Sequence, residues 1–274
     1  MNRYLLTILG LLLAASPLAA ARDWSIDVLA WEDGGFAGGA SREPQENVSR
    51  QALQLGYRWE RPDPAGYALR YKHQTLRVRQ GSPAGNGYLH QFDWRQQAQW
   101  QQFRGELTVG VHGTSNMFKH TDFHRDAIVA TGAVSHAFGS GATRIGLAGD
   151  YRFGAFTLYP QWRTAIPLGQ ATVRLNLPVA IVLEAKDRNW QLGIERHGEK
   201  WGTLDSGRQV TDKLYLQEWR LDGRYRLALR EDDLALVVGA GISLQTRVHY
   251  LDLDAGSRRE RLDDRLYLTL GLRW

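Results

Sequence analysis

Polar and apolar residues alternate along most of this chain with a period of two. After Lys213 the odd positions Tyr215, Gln217, Trp219, Leu221, Gly223, Tyr225, Leu227 and Leu229 form a mostly apolar row, while Glu218, Arg220, Asp222, Arg224 and Arg226 put five charges on the even positions. In the next run Leu234, Leu236, Val238, Ala240, Ile242, Leu244, Val248 and Tyr250 share one face, with Thr246 its only polar member, and Gly239, Gly241, Ser243, Gln245, Arg247 and His249 share the other. Successive side chains of a strand point to opposite faces, so each run predicts a strand with one greasy and one wet side. The same reading applies to Leu53–Trp59, Phe103–Val111 and Ile145–Phe153. Strands are predicted over 24–31, 50–61, 66–79, 87–98, 101–114, 126–138, 142–153, 155–165, 170–177, 179–186, 189–203, 213–230, 233–252 and 264–274. That is fourteen; the short pair flanking Pro178 decides between fourteen and twelve.

A soluble β-sandwich also alternates. Three features favour a membrane barrel: the runs are long, the apolar rows often end in aromatics (Tyr57/Trp59, Tyr151/Phe153), and Leu266, Leu268, Leu270, Leu272 and Trp274 share the last face. That final segment resembles the terminal strand of outer-membrane barrel proteins. The resemblance implies that these five residues form the signal read by the barrel-assembly machinery, with Tyr267 one position off the usual aromatic slot. The expected fold is all-β, an antiparallel transmembrane β-barrel of 12–14 strands.

The connections fall into two sets. Pro62–Ala65, Gln99–Trp100, Gly139–Gly141, Ile166–Gly169, Asp187–Arg188 and Glu231–Asp232 are all short. Glu32–Ser49, Gln80–Asn86, Ser115–Arg125, Gly154, Pro178, Leu204–Asp212 and Leu253–Asp263 include every long loop. Outer-membrane barrels keep short turns in the periplasm and long loops outside, so both termini are expected on the periplasmic side.

The N-terminus agrees with export. Arg3 precedes an apolar run from Leu5 to Ala15, Pro17 breaks it, and Ala19-Ala20-Ala21 offers a cleavage site. Residues 1–21 are therefore expected to be a signal peptide and residues 22–274 one barrel domain. Beyond that run, no apolar stretch is long enough for a helical span. Charged residues make up 23% of the chain and mean hydropathy is negative, so composition alone points to a water-soluble protein and only the alternation points to lipid. Ten Trp and eleven Tyr suit membrane interfaces, and the absence of Cys leaves stability to strand pairing. The formal net charge of +5 comes with no nucleic-acid motif, and no nucleic-acid partner is expected.

The wet face carries the candidate site. Arg70, Lys72, Arg104, Glu106, Asp150, Arg152, Glu218, Arg220, Asp222, Arg224 and Arg226 are expected to line the lumen, together with Arg174, Glu184 and Glu195. They form either a polar pathway or a set of charges paired across a filled barrel. One segment suggests chemistry: Val111-His112-Gly113-Thr114-Ser115-Asn116 resembles the His-x-Ser-Asn signature of outer-membrane lipid A deacylases. The resemblance implies His112 as base and Ser115 as nucleophile, with Asp122 or Asp126 as orienter. At a spacing of three, Ser115 falls on the face opposite His112 unless a bulge at Gly113 intervenes, and Thr114 has the right spacing. His120, Asp122 and His124 have a spacing that holds metal on a helix and means little in a loop; no metal or cofactor is expected. Gly110–Asn116, Tyr159-Pro160, Leu177-Pro178 and Trp201 before a long charged strand are also similar to a family of outer-membrane barrels without assigned function.

The expected function is a non-enzymatic barrel in the outer membrane, either a pore for small polar solutes or a structural element. The alternative is a lipid hydrolase of the lipid A deacylase or phospholipase type. Outer-membrane lipids, lipopolysaccharide and the assembly machinery are the expected partners.

Overall fold

The computed structural model describes residues 22–35, 48–60, 66–78, 87–120, 123–139, 142–204, 210–229, 234–252 and 256–274. The proposed signal peptide lies outside them. The strands are β1 Arg22–Trp31, β2 Val48–Glu60, β3 Gly66–Val78, β4 Tyr88–Trp100, β5 Phe103–Thr114, β6 Ile128–Phe138, β7 Thr143–Asp150 and β8 Thr157–Leu168. They continue with β9 Ala171–Leu177, β10 Ala180–Ala185, β11 Trp190–Leu204, β12 Val210–Ala228, β13 Ala235–Asp252, β14 Gly256–Arg261 and β15 Arg265–Arg273. Helix α1 spans Ser115–His120, and a 3-10 turn covers Arg125–Ala127.

Consecutive strands pair antiparallel from β1 through β13. β15 joins β13 to β1 and closes the wall. β14 and β15 pair with successive parts of β13, so they are one wall strand interrupted at residues 262–264. The barrel thus has fourteen strands, and both short strands flanking Pro178 belong to it. The outward face is apolar: Leu158 is 73% exposed, Leu268 66% and Leu266 61%, whereas Tyr267 between the last two is 2% exposed. A closed sheet with this outward belt is a transmembrane barrel, since closure leaves no unpaired edge for lipid to meet.

Three expectations need correction. The loop expected at 253–263 contains β14. β7 stops at Asp150, so Tyr151 and Phe153 lie in the connection to β8 and not on a lipid-facing strand. Thr246 and Val248, expected to face outward, are 2% and 1% exposed and turn inward. The cause is a bulge: Gln245 has φ 53°, and the β12 register slips between Gln217 and Trp219. One extra residue reverses the facing of everything beyond it.

The two ends of the barrel differ. Its short-turn end holds the start of β1 and the end of β15, where Trp24 and Trp274 exchange backbone hydrogen bonds at 2.8 and 3.2 Å and their rings stack. At the long-loop end, β11 continues to Leu204 after its last pair with β10 at Glu195. The exposed edge is covered by the Tyr151–Phe156 connection, the 3-10 turn and β5. Gly113 of β5 forms a parallel bridge with Gly202 of β11, although five strands separate them around the wall. Thr114 Oγ1 donates to the Leu204 carbonyl at 3.2 Å and accepts the Leu204 N–H at 3.1 Å. Two glycines make this covering possible. A Cβ on Gly198 would collide with the Tyr151–Arg152 backbone, and one on Gly202 would lie 2.8 Å from the Ala127 nitrogen.

The lipid-facing belt yields a first prediction. Leu268→Arg places a charge near the middle of the outward face and should cost about 2–4 kcal/mol. Denaturant unfolding in phospholipid vesicles measures this; an unchanged midpoint would mean that β15 does not face lipid.

Candidate functional site

Inward side chains change character along the barrel axis. At the long-loop end Val48, Leu76, Leu89, Trp201, Leu214, Leu216, Val248 and Leu262 form one fully buried cluster inside the bore. One inward step below are Arg50 on β2, Gln74 on β3, Gln91 on β4, Glu199 on β11 and Glu218 on β12, all buried. Further down the bore widens into a cavity of about 880 Å³ that reaches the short-turn end, with Asp23, Arg58, Arg226 and Trp274 at its mouth.

The buried polar layer is held by ion pairs. Glu218 accepts from Arg50 Nη1 at 2.6 Å, from Arg220 Nε at 2.7 Å and from Thr246 Oγ1 at 3.2 Å. Arg50 lies 4.1 Å over the Trp31 ring, and the Trp31 indole donates to Ser243 Oγ at 2.8 Å. Lys72 Nζ meets Glu199 Oε1 at 2.5 Å, with His197 Nε2 3.2 Å from the same oxygen. Tyr267 donates to Asp222 at 2.9 Å, and Arg224 pairs with Asp222 at 2.6 Å. In the cavity wall Glu106 accepts from Arg95 at 2.7 Å and Arg163 at 2.6 Å, with Arg104 at 3.3 Å.

The expected lumen residues therefore divide between two environments. Arg70, Glu106, Asp150, Arg152, Arg224, Arg226 and Glu184 line the cavity. Lys72, Glu218, Arg220 and Asp222 lie in the buried layer. Arg104 pairs with Glu106. Arg50, Asp93, His197 and Glu199 belong to the same networks and were missed. Each sits at an inward position of its strand, a parity readable from the flanking apolar rows.

His112 and Ser115 are not partners. His112 points inward; its Nδ1 lies 3.0 Å from the Lys200 carbonyl oxygen and its Nε2 lies 2.6 Å from Asp93 Oδ1. Both ring nitrogens face acceptors inside the barrel, so neither is turned toward a serine hydroxyl. Strands β4 and β5 pair without a slip from Trp100↔Phe103 to Leu89↔Thr114, so Gly113 carries no bulge. Thr114 is committed to Leu204. Asp126 does not orient His112; it faces Lys213 at 3.1 Å and Lys200 at 3.8 Å. Ser115 points to the outer face, where its Oγ lies 2.7 Å from His90 Nε2. Asp122 and the His120 side chain lie outside the described residues. Among the described residues no group of three metal-ligating side chains occurs, and His124 Nδ1 accepts the Asp126 N–H.

Similar solved structures include a bacterial polysaccharide outer membrane secretin (8% identity, 94% of this chain and 99% of that chain, TM-score 0.40). OpdK of Pseudomonas aeruginosa, solved with vanillate, matches at 9% identity over 92% of this chain and 98% of that one, with TM-score 0.33. A BenF-like porin from Pseudomonas fluorescens matches at 10% over 93% and 98%, with TM-score 0.32. No protein-family model and no curated protein matches the sequence.

The buried layer makes a sharp prediction. Glu218→Gln leaves Arg50 and Arg220 buried without their counter-charge and should cost about 3–5 kcal/mol. Replacing all three together (Arg50→Met, Glu218→Leu, Arg220→Met) should cost far less, because no charge is left unpaired. Unfolding in detergent compares the two; equal losses would mean that the charges do not act as a unit.

Proposed function

We propose that this barrel resides in the outer membrane of a Gram-negative bacterium, and that its lumen is a route for small polar solutes, open to the periplasm and gated at the external end. The supporting observation is the graded bore: a cavity of about 880 Å³ with both signs of charge on its walls, ending beneath a shell of apolar side chains. Such walls suit small polar or zwitterionic solutes, whose charges find counter-charges along the path. Residues 1–21 serve export in this reading. Leu266, Leu268, Leu270, Leu272 and Trp274 serve assembly, and the lipids and lipopolysaccharide of that membrane contact the outward belt.

The gate is the apolar shell around Trp201. Beneath and within it, the side-chain amides of Gln74 and Gln91 and the Trp201 indole nitrogen are buried without a hydrogen-bond partner among the described residues. An unsatisfied buried polar group costs about 1–3 kcal/mol. A hydrated bore satisfies these groups, which offsets part of the packing lost when the shell parts.

Recordings in planar bilayers test this reading. Wild-type protein should give rare, brief openings. Trp201→Ala removes about 3–5 kcal/mol of packing. Since about 1.4 kcal/mol is a factor of ten, openings should become at least about tenfold more frequent. Arg224→Glu combined with Arg226→Glu should then shift the preference of the open state toward cations. A folded Trp201→Ala barrel that stays silent, and that admits no sugar or amino acid in liposome-swelling assays, would overturn the proposal.

A further inference from the structure

The outer face holds a second arrangement that the lumen reading does not use. Ser115 Oγ is 2.7 Å from His90 Nε2, and His90 Nδ1 is 2.9 Å from the Tyr71 hydroxyl. The three residues come from β3, β4 and the start of α1, side by side on the wall. We infer that Ser115 and His90 form a lipid-facing acyl-ester hydrolase site, with Tyr71 as the positioning residue behind the imidazole.

Ester hydrolysis uses the tautomer in which Nδ1–H donates to the Tyr71 oxygen and Nε2 accepts from the Ser115 hydroxyl, and the two contact distances permit it. Ser115 Oγ attacks the ester carbonyl carbon as its proton passes to Nε2. The tetrahedral adduct collapses, and the alcohol leaves with that proton, giving acyl-Ser115. Water then gives a proton to Nε2 and attacks the acyl carbon, releasing the free acid and restoring the serine. No oxidant, metal or further reactant enters the balance.

Position selects the substrate class. On the outward face Leu69, Phe92 and Trp94 are exposed and belong to the apolar belt. His90 is one outward step beyond Phe92, about 7 Å along the strand toward the long-loop end. That is where apolar side chains give way to polar ones, the level at which acyl chains join lipid headgroups through ester bonds. Aromatic rings wall the site. Phe118 meets the edge of His90 at 5.3 Å and Phe92 at 5.4 Å, and Phe123, half exposed, meets Phe118 at 5.1 Å. They offer apolar surface to an acyl chain beside the nucleophile. A second serine–histidine contact, Ser257 Oγ to His249 Nε2 at 2.7 Å, is exposed on the β13–β14 extension, where the His249 ring stacks on Tyr215 at 5.9 Å.

The test uses full-length mature protein folded in detergent micelles. A long-chain alkyl fluorophosphonate should label Ser115, located by peptide mass spectrometry. Ser115→Ala should abolish labelling, and His90→Gln should slow it by at least about a hundredfold. His136→Gln, on the same outward face at the opposite end, should label like wild type. Turnover is measured on two substrates, a glycerophospholipid and purified lipid A, each in mixed micelles. Release of fatty acid from either, lost with Ser115→Ala, supports the inference and identifies the source. Tyr71→Phe should lower kcat with KM unchanged, as expected of a residue that orients the imidazole. Folded wild-type protein that neither labels nor releases fatty acid from either lipid would overturn the inference. So would labelling that is unchanged in His90→Gln. The bilayer recordings on Trp201→Ala are independent of both results.

Discussion

A strand edge inside a membrane leaves a row of N–H and C=O groups without water, at several kcal/mol for each group. Every strand of this wall must therefore pair on both sides, and β11 meets that demand in two ways. Its lower part pairs with β10, and above Glu195 its free edge is taken up by a connection, a 3-10 turn and β5. Bringing β5 against β11 draws in the long-loop end. With the bore narrowed there, inward side chains reach one another, and Trp201, Leu214, Leu216 and their neighbours pack as a core. Below that level β6 to β10 complete the circumference and the bore stays wide. The seal and the cavity are thus two consequences of one short strand, β10, ending below its neighbour.

The charged layer follows from the same geometry. Where the bore is narrow, a lone charge cannot reach water and must find a partner, so Arg50, Glu218 and Arg220 form a closed set, as do Lys72, Glu199 and His197. Where the bore is wide, pairs such as Arg152–Asp150 at 3.3 Å remain partly exposed. Of the two alternatives for the inward charges, the filled barrel describes the narrow tier, and the wide tier is a cavity whose charged pairs stay partly exposed. The filled tier fixes the width of the wide one, because its ion pairs cross between strands far apart in sequence.

Much of the wall was legible because lipid imposes a strict rule: an outward position is apolar or interfacial. That rule made Leu221, Tyr225 and Leu227 readable, and with them the strand count. The inward face obeys no such rule, since its polarity depends on how close the opposite wall comes. Leu214 and Leu216 share the parity of Glu218 and Arg220, and nothing local distinguishes a leucine that seals a bore from an irregularity in the alternation. Gln245 escaped for a related reason. A bulge adds one residue without changing composition, so an alternation carried straight through it assigns Thr246 and Val248 to the wrong side. The Tyr151–Phe156 segment reads as a strand because it alternates, yet it packs over the β11 edge, a demand made by a strand some forty residues later.

Residue parity also separates the two chemistries of the external rim. His112 and Ser115 are three apart, an odd number, and an unbroken β5 sends one to the lumen and the other to the lipid. Each then finds partners that only its own side supplies. Inside, in a narrow bore crowded with carboxylates and carbonyls, His112 meets acceptors at both nitrogens and becomes part of the scaffold. Outside, Ser115 meets a histidine from the next strand whose far nitrogen faces a tyrosine hydroxyl, a neutral chain in an apolar setting. A histidine held between two acceptors keeps its position as part of the scaffold. One between two hydroxyls, each able to donate or accept, keeps a lone pair for one of them and can take a proton. The local motif suggested the wrong histidine because sequence proximity does not cross strands. The neighbour that matters, His90, is fixed by the β4–β5 register, which pairs Leu89 with Thr114 and sets Ser115 diagonal to His90 on the outer face.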